Sequence, residues 1–404
     1  MFDVALIVLF ALVGNFLFNK LGLPGILGMI ATGLILGPSG FNIIHDGTLE
    51  GLKEFKTVAL IIILIRAGLG ISKKTLNRIG GPAIKMGIIP CLIEGGAITL
   101  LAWQVFNFQF YEAGMLGFII AAVSPAVVVP AMLELKNGGF GKKKEVPTLV
   151  LAGASLDDVI AITLFGVFAG LGTGQETNWL GVLVGVPAGI AIGALGGALL
   201  GYLLVWFFKK FHMRDTLKII LFVAIAILFY DFSELPAVKN TLPIAALLGI
   251  MAIGFVILER HDQLAGRMAA KFGKIWVFAE ILLFVYIGTE VRIAEIALSS
   301  VGTGLAVLCV GLIARSAGVL ISLIGSQLNF KEKMFCMMAY WPKATVQAAI
   351  GAVPLTLVLS GKIADTSEET AQLILAIAVL SIIITAPLGA ICIKIFGKKL
   401  LVSH

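Results

Sequence analysis

Charge is scarce in this chain. Only 13% of its 404 residues are Asp, Glu, Lys or Arg, against about 25% in an ordinary soluble domain. With 59% hydrophobic residues and a mean hydropathy of +1.06, no stretch is polar enough and long enough for a soluble domain. The chain reads as an all-α polytopic membrane protein. Cysteine is scarce as well: Cys91, Cys309, Cys336 and Cys392 stand singly in apolar runs. They show neither metal-ligand spacing nor a disulfide framework, so they read as packing residues. The opening Met1-Phe-Asp-Val-Ala-Leu-Ile-Val-Leu-Phe lacks the basic n-region and small-residue cleavage site of a signal peptide. It reads as the start of a retained helix.

What is present is a series of apolar runs joined by short polar loops. Thirteen spans are expected, near residues 3–19, 23–38, 55–71, 82–106, 112–134, 147–170, 179–208, 216–231, 241–258, 272–289, 297–325, 332–360 and 371–396. Several exceed what a bilayer needs, so tilts or breaks are expected. An odd count puts the termini on opposite sides. Twenty-two Lys and Arg lie in the loops of one side, while Lys53, Lys56, Lys239, Arg292 and Lys362 lie on the other. Basic loops stay cytoplasmic, which places the C-terminus in the cytoplasm and the N-terminus outside. The formal charge of +7 is therefore topogenic and does not indicate nucleic-acid binding.

Two spans carry helix breakers in their middles. The fifth reads Ala121-Ala-Val-Ser-Pro-Ala-Val-Val-Val-Pro, with Pro125 and Pro130; the twelfth reads Ala339-Tyr-Trp-Pro-Lys-Ala-Thr-Val-Gln-Ala-Ala-Ile-Gly-Ala-Val-Pro, with Pro342, Gly351 and Pro354. Proline removes a helical bond and frees a carbonyl. Unwound backbone at membrane depth is tolerated where it is buried or lines a cavity. Breaks in corresponding positions of two halves point to a transporter site built from inverted repeats. The repeats expected here are residues 1–170 and 216–404, six helices each, with 171–215 as a linker helix. The breaks fall near 124–130 and 341–354, each in the penultimate helix of its half.

Few charges lie well inside spans: Arg66, Glu94, Asp157, Asp158, Glu280, Arg315 and Lys343. A carboxylate at membrane depth costs at least about 2.5 kcal/mol. Asp157 and Asp158 stand side by side in the helix expected over 147–170, with a turn or more of apolar sequence on either side. They are the leading functional candidates, because a pair snorkelling from a helix end would lack those flanks. Buried charges require partners, so Glu94 and Arg315 read as a structural pair, and Lys343 as a counter-charge to one aspartate. Arg66 reads as a structural partner near a helix end; Glu280 is given no role. A monovalent cation shedding its water needs oxygen ligands. The aspartates supply charge, and Ser155 and Ser124, with carbonyls freed near Pro125, supply neutral oxygens. Protons compete for the same oxygens, because two adjacent carboxylates in a low dielectric cannot both ionise cheaply.

At Ile65-Arg-Ala-Gly-Leu-Gly, Val123-Ser-Pro-Ala-Val-Val-Val-Pro, Ala154-Ser-Leu-Asp-Asp-Val-Ile-Ala-Ile and Trp341-Pro-Lys-Ala-Thr-Val-Gln-Ala-Ala-Ile-Gly, the chain resembles the monovalent cation/proton antiporter superfamily. The resemblance is closest to its NHA subfamily of sodium/proton exchangers. It implies the inverted-repeat antiporter fold with two broken, crossing helices in a mobile core domain, a dimerisation domain interleaved with it in sequence, and homodimers. It implies Na⁺ or Li⁺ and H⁺ as cargo, with no cofactor and no enzymatic activity, in a prokaryotic inner membrane. By the same resemblance Asp158 is the ion- and proton-binding carboxylate, Asp157 the partner of Lys343, and Glu94–Arg315 the structural pair. Many electroneutral relatives carry Asn-Asp where this chain has Asp157-Asp158, and many carry an aspartate where it has Ser124. If Lys343 and Asp157 move a second proton, each cycle carries net charge; if their pair stays closed, exchange is one for one.

Other classes fit less well. An intramembrane aspartyl protease takes one aspartate from each of two helices, whereas helical neighbours point about 100° apart. A cation channel, a K⁺/H⁺ antiporter or a sodium-coupled solute symporter on the same fold remains the rival. A symporter needs a roomier polar site, and Lys343 beside the aspartate pair favours proton exchange.

Overall fold

Backbone in lipid has no water to bond, so each apolar run must satisfy its own N–H and C=O groups. All regular secondary structure among the described residues is accordingly helical. The computed structural model describes residues 2–21, 23–173, 179–239, 244–290, 298–363 and 365–402. In chain order the helices are α1 (Phe2–Lys20), α2 (Gly25–Leu36), α3 (Asp46–Gly68), α4 (Lys73–Gln104), α5 (Phe110–Ala121) and α6 (Pro125–Asn137). Next come α7 (Val146–Gly172), α8 (Trp179–Lys210), α9 (Asp215–Glu234), the short α10 (Pro236–Lys239), α11 (Ala246–Arg260) and α12 (Asp262–Thr289). The chain closes with α13 (Leu298–Ser322), α14 (Phe330–Ala339), α15 (Thr345–Ile350), α16 (Val353–Leu359) and α17 (Glu368–Leu400). Among the described residues eight of these helices, and the run Phe110–Asn137 that α5 and α6 form together, are long and apolar enough to cross a membrane.

The chain divides into two units that interleave in sequence. One comprises residues 1–49, 81–178 and 284–404, the other residues 50–80 and 179–283. In the second unit α8 packs on α11 through glycine. A Cβ added to Gly197 would collide with the backbone of Gly249, and one at Gly193 with the backbone of Ala245. Gly193 and Gly197 stand four apart, the small-residue spacing that lets membrane helices approach closely. Arg66 on α3 is half-buried in this unit and interacts electrostatically with Glu280 on α12.

The first unit holds the breaks. The expected fifth span is two helices, α5 and α6, with residues 122–124 extended between them; Pro125 opens α6. The expected twelfth span is three pieces, α14, α15 and α16. Each leading half begins alike. The backbone N–H of Gln109 donates to Glu112 at 2.8 Å, and that of Asn329 to Glu332 at 2.7 Å. A glutamate at the third helical position reaching back to the cap residue fixes where the helix starts. Every residue of α5 from Glu112 to Ala121 is buried.

Two expectations shift. The third span is expected from residue 55, but α3 begins at Asp46, because hydropathy locates the lipid and not the helix that continues out of it. Cys91, Cys336 and Cys392 are buried as packing residues, while Cys309 lies on an exposed face of α13. Residues 241–243 and 297, at the starts of the ninth and eleventh expected spans, and Arg292, lie outside the described residues.

Candidate ion site

The first unit brings together five of the seven intramembrane charges. Asp157 and Asp158 come from α7, Glu94 from α4 and Arg315 from α13, while Lys343 lies between α14 and α15. Glu94, Asp157, Arg315 and Lys343 are 0% exposed and Asp158 is 7% exposed. Apolar helices carry these groups to a depth where each ion must find its neutralising partner inside the protein.

Arg315 is the hub. Its Nη2 donates to Asp157 Oδ2 at 2.7 Å, and its Nη1 lies 3.2 Å from Glu94 Oε2. Its Nε donates to the Tyr340 carbonyl at 3.0 Å, and the guanidinium lies over the Tyr340 ring at 5.3 Å. Lys343 Nζ meets the other oxygen of Glu94, Oε1, at 2.7 Å. Both contacts to Glu94 are ion pairs without hydrogen-bond alignment. The result is a chain of alternating charge: Lys343, Glu94, Arg315, Asp157.

This corrects the expected partnership of Lys343 with Asp157. Oδ2 of Asp157 already accepts from Arg315 and, at 2.9 Å, from the Val123 backbone N–H. Glu94 presents one oxygen to each cation, so Lys343 pairs there. The Glu94–Arg315 contact is present, extended by Lys343 at one end and Asp157 at the other.

The two broken segments meet at this site. The Ser124 backbone N–H donates to the Pro342 carbonyl at 2.8 Å, joining one break to the other. The Lys343 backbone N–H donates to Thr385 Oγ1 on α17 at 3.0 Å. Ser124 Oγ and Asp157 Oδ1 are buried without a hydrogen-bond partner. Ser155 Oγ donates to the Leu151 carbonyl at 3.1 Å, and the residue lies three before Asp158, on the same helical face.

Asp158 stands apart. Among the described residues it makes no ion pair, and its Oδ1 is buried without a hydrogen-bond partner. Three buried carboxylates face two buried cations, and the two cations are engaged by Glu94 and Asp157. Asp158 is the carboxylate left over.

Sequence reasoning missed three contributors: the Tyr340 carbonyl, the Thr385 hydroxyl and the Gln347 amide. Thr385 left a trace, as a hydroxyl in the apolar run before Pro387. A backbone carbonyl leaves none.

An uncompensated carboxylate buried where interrupted membrane helices meet belongs to an integral membrane protein of the ion-transporter class. The family model described as "Sodium/hydrogen exchanger, transmembrane" matches residues 5–399, and the chain belongs to that family. It is 32% identical over 384 residues to sodium/hydrogen exchanger 9B2 of Homo sapiens, covering 94% of this chain and 70% of the relative. It is 34% identical over 419 residues to sodium/hydrogen exchanger 9B2 of Bison bison bison, covering 99% and 75%. Its fold is similar to that of the sodium proton antiporter MjNhaP1 from Methanocaldococcus jannaschii. That likeness has a TM-score of 0.73 at 21% identity and covers 98% of this chain and 95% of the other.

Proposed function

We propose that this protein is a secondary antiporter, not an enzyme, that exchanges Na⁺ (or Li⁺) for H⁺, with Asp158 as the carboxylate shared by cation and proton. The observation that carries this reading is the charge count. Glu94 and Asp157 are neutralised by Lys343 and Arg315, so Asp158 needs a proton or a cation whenever it is buried. A site that is neutral with either cargo, and costly with neither, can cross the membrane loaded but not empty. Exchange follows from that asymmetry once the site opens to each side in turn.

The cation's ligands in this reading are Asp158, the free Oδ1 of Asp157, and the hydroxyls of Ser155 and Ser124. Asp157 stays paired in this reading, its Oδ2 held by Arg315 and by the Val123 N–H. Lys343 acts as a structural counter-charge to Glu94 and not as a second proton carrier. One proton is then exchanged for one Na⁺. The 22-to-5 basic bias supports thirteen spans in two inverted repeats, the N-terminus outside, and a cytoplasmic C-terminus. The unit holding the five charges serves as the mobile core, the other as the dimerisation domain of a homodimer.

The test is cation-dependent alkalinisation of proteoliposomes loaded with a pH dye, scanned over Na⁺, Li⁺ and K⁺. Na⁺ or Li⁺ is expected to drive proton efflux. A response to K⁺ alone would replace the cargo assignment, and no response to any of the three would end the exchange reading.

A further inference from the structure

Gln347 has no task in the exchange reading, yet it is 2% exposed and engages the opposite broken segment. Its Nε2 donates to the carbonyls of Ile119 at 2.9 Å and Ala122 at 3.0 Å. Two carbonyl oxygens at these distances demand the NH₂ end of the amide, since its oxygen would only add a third acceptor. Ile119 lies in the last turn of α5, and Ala122 is the first residue of the break. A helix ending in apolar surroundings leaves its last four carbonyls without helical donors. Here a side chain from α15 supplies a donor to one of them, Ile119, and to Ala122 just beyond the helix.

The rest of the break is held as firmly. Val123 N–H goes to Asp157, and Ser124 N–H goes to the Pro342 carbonyl. Among the described residues, no backbone N–H donates to the carbonyls of Ala121 or Val123. These oxygens alternate along the chain with the groups that Gln347 and Asp157 tie down. The oxygen of the Gln347 amide is itself buried without a hydrogen-bond partner, as are the hydroxyls of Ser124 and Thr345.

Resting on the exchange reading, we infer that Gln347 is a positioning residue for the cation: by holding the Ile119 and Ala122 carbonyls it aims the neighbouring free carbonyls, and through Val123 the Asp157 carboxylate, at the site. A helix cap with no such role would affect stability only. The structure therefore assigns cation affinity, and not merely fold, to an amide that touches neither aspartate.

Gln347→Ala and Gln347→Glu in proteoliposomes decide this, with wild type measured in the same preparation across pH. Gln347→Ala is expected to raise the KM for Na⁺ about tenfold, the scale of one lost buried hydrogen bond, with kcat within about threefold of wild type. Gln347→Glu has a distinct signature. Ionised, it sets two acceptors against two carbonyls; protonated, it donates one bond again. Its KM ratio to wild type should therefore fall toward one as pH is lowered, while the Gln347→Ala ratio stays flat. An unchanged KM in Gln347→Ala, or a Gln347→Glu ratio that does not move with pH, overturns the inference. If Gln347→Ala does not survive purification, the pH course of Gln347→Glu decides alone. Failure of the wild type to exchange would instead refute the function on which the inference rests.

Discussion

Glu94→Gln should be the most damaging single change at the site to stability, and its effect should be largely reversed by Lys343→Met. The single variant leaves Lys343, 0% exposed, without its ion-pair partner, and Arg315 paired to Asp157 alone. Removing one partner of a buried pair costs about 3–5 kcal/mol. At about 2 °C per kcal/mol for a chain above 200 residues, melting falls by roughly 6–10 °C. Lys343→Met removes the stranded cation, and Arg315 with Asp157 remains neutral. A double-mutant cycle between Glu94 and Lys343 should therefore return a coupling of about 2–3 kcal/mol, and one between Asp157 and Lys343 less than about 1 kcal/mol. Thermal melting of the four proteins of each cycle in detergent, followed by size-exclusion chromatography, measures both. If the larger coupling belongs to Asp157 and Lys343, the charge chain is wired differently and the one-for-one exchange derived from it fails.

Asp158→Asn should abolish cation-driven proton movement in vesicles while melting no lower than wild type, since it removes a buried charge that has no ion-pair partner; exchange at wild-type rate would sink the assignment. With one proton per Na⁺, the reversal point in vesicles with imposed gradients should not move with voltage, whereas a net charge per cycle would shift it by about 2.3 kcal/mol per 100 mV. Gly197→Val should destabilise the second unit by several degrees in the same melting assay. Its Cβ would enter the Gly249 backbone, and an unaltered melting point would show that α8 and α11 do not pack as described.

The sites that sequence reveals best are those where physics forbids an accidental residue. Glu94, Asp157, Asp158, Arg315 and Lys343 were legible because each is a charge set in apolar sequence, and the structure gathers all five. Pro125 and Pro342 marked the helix interruptions for a similar reason, since a missing N–H cannot be hidden within a helix. Pairing was not legible. Lys343 had two or more carboxylates to choose from, and the choice turns on Asp157 Oδ2 being occupied by Arg315 and by Val123 N–H, a fact of three-dimensional geometry. Gln347 escaped notice because a lone amide in an apolar run resembles packing until the carbonyls it faces are known. The outward extension of α3 to Asp46 escaped because its first turns are polar.

The charge chain also constrains how the protein is made. Asp157 waits for Arg315, 158 residues further along the chain. While the ribosome is still translating the second half, α4 and α7 already carry Glu94, Asp157 and Asp158 without either basic partner. Three such acids at about 2.5–3.5 kcal/mol each leave the nascent first half about 8–10 kcal/mol short of what its apolar residues alone would give. The half-made chain is thus the vulnerable species. A chain truncated before Arg315 would hold those carboxylates at membrane depth with no basic partner to neutralise them.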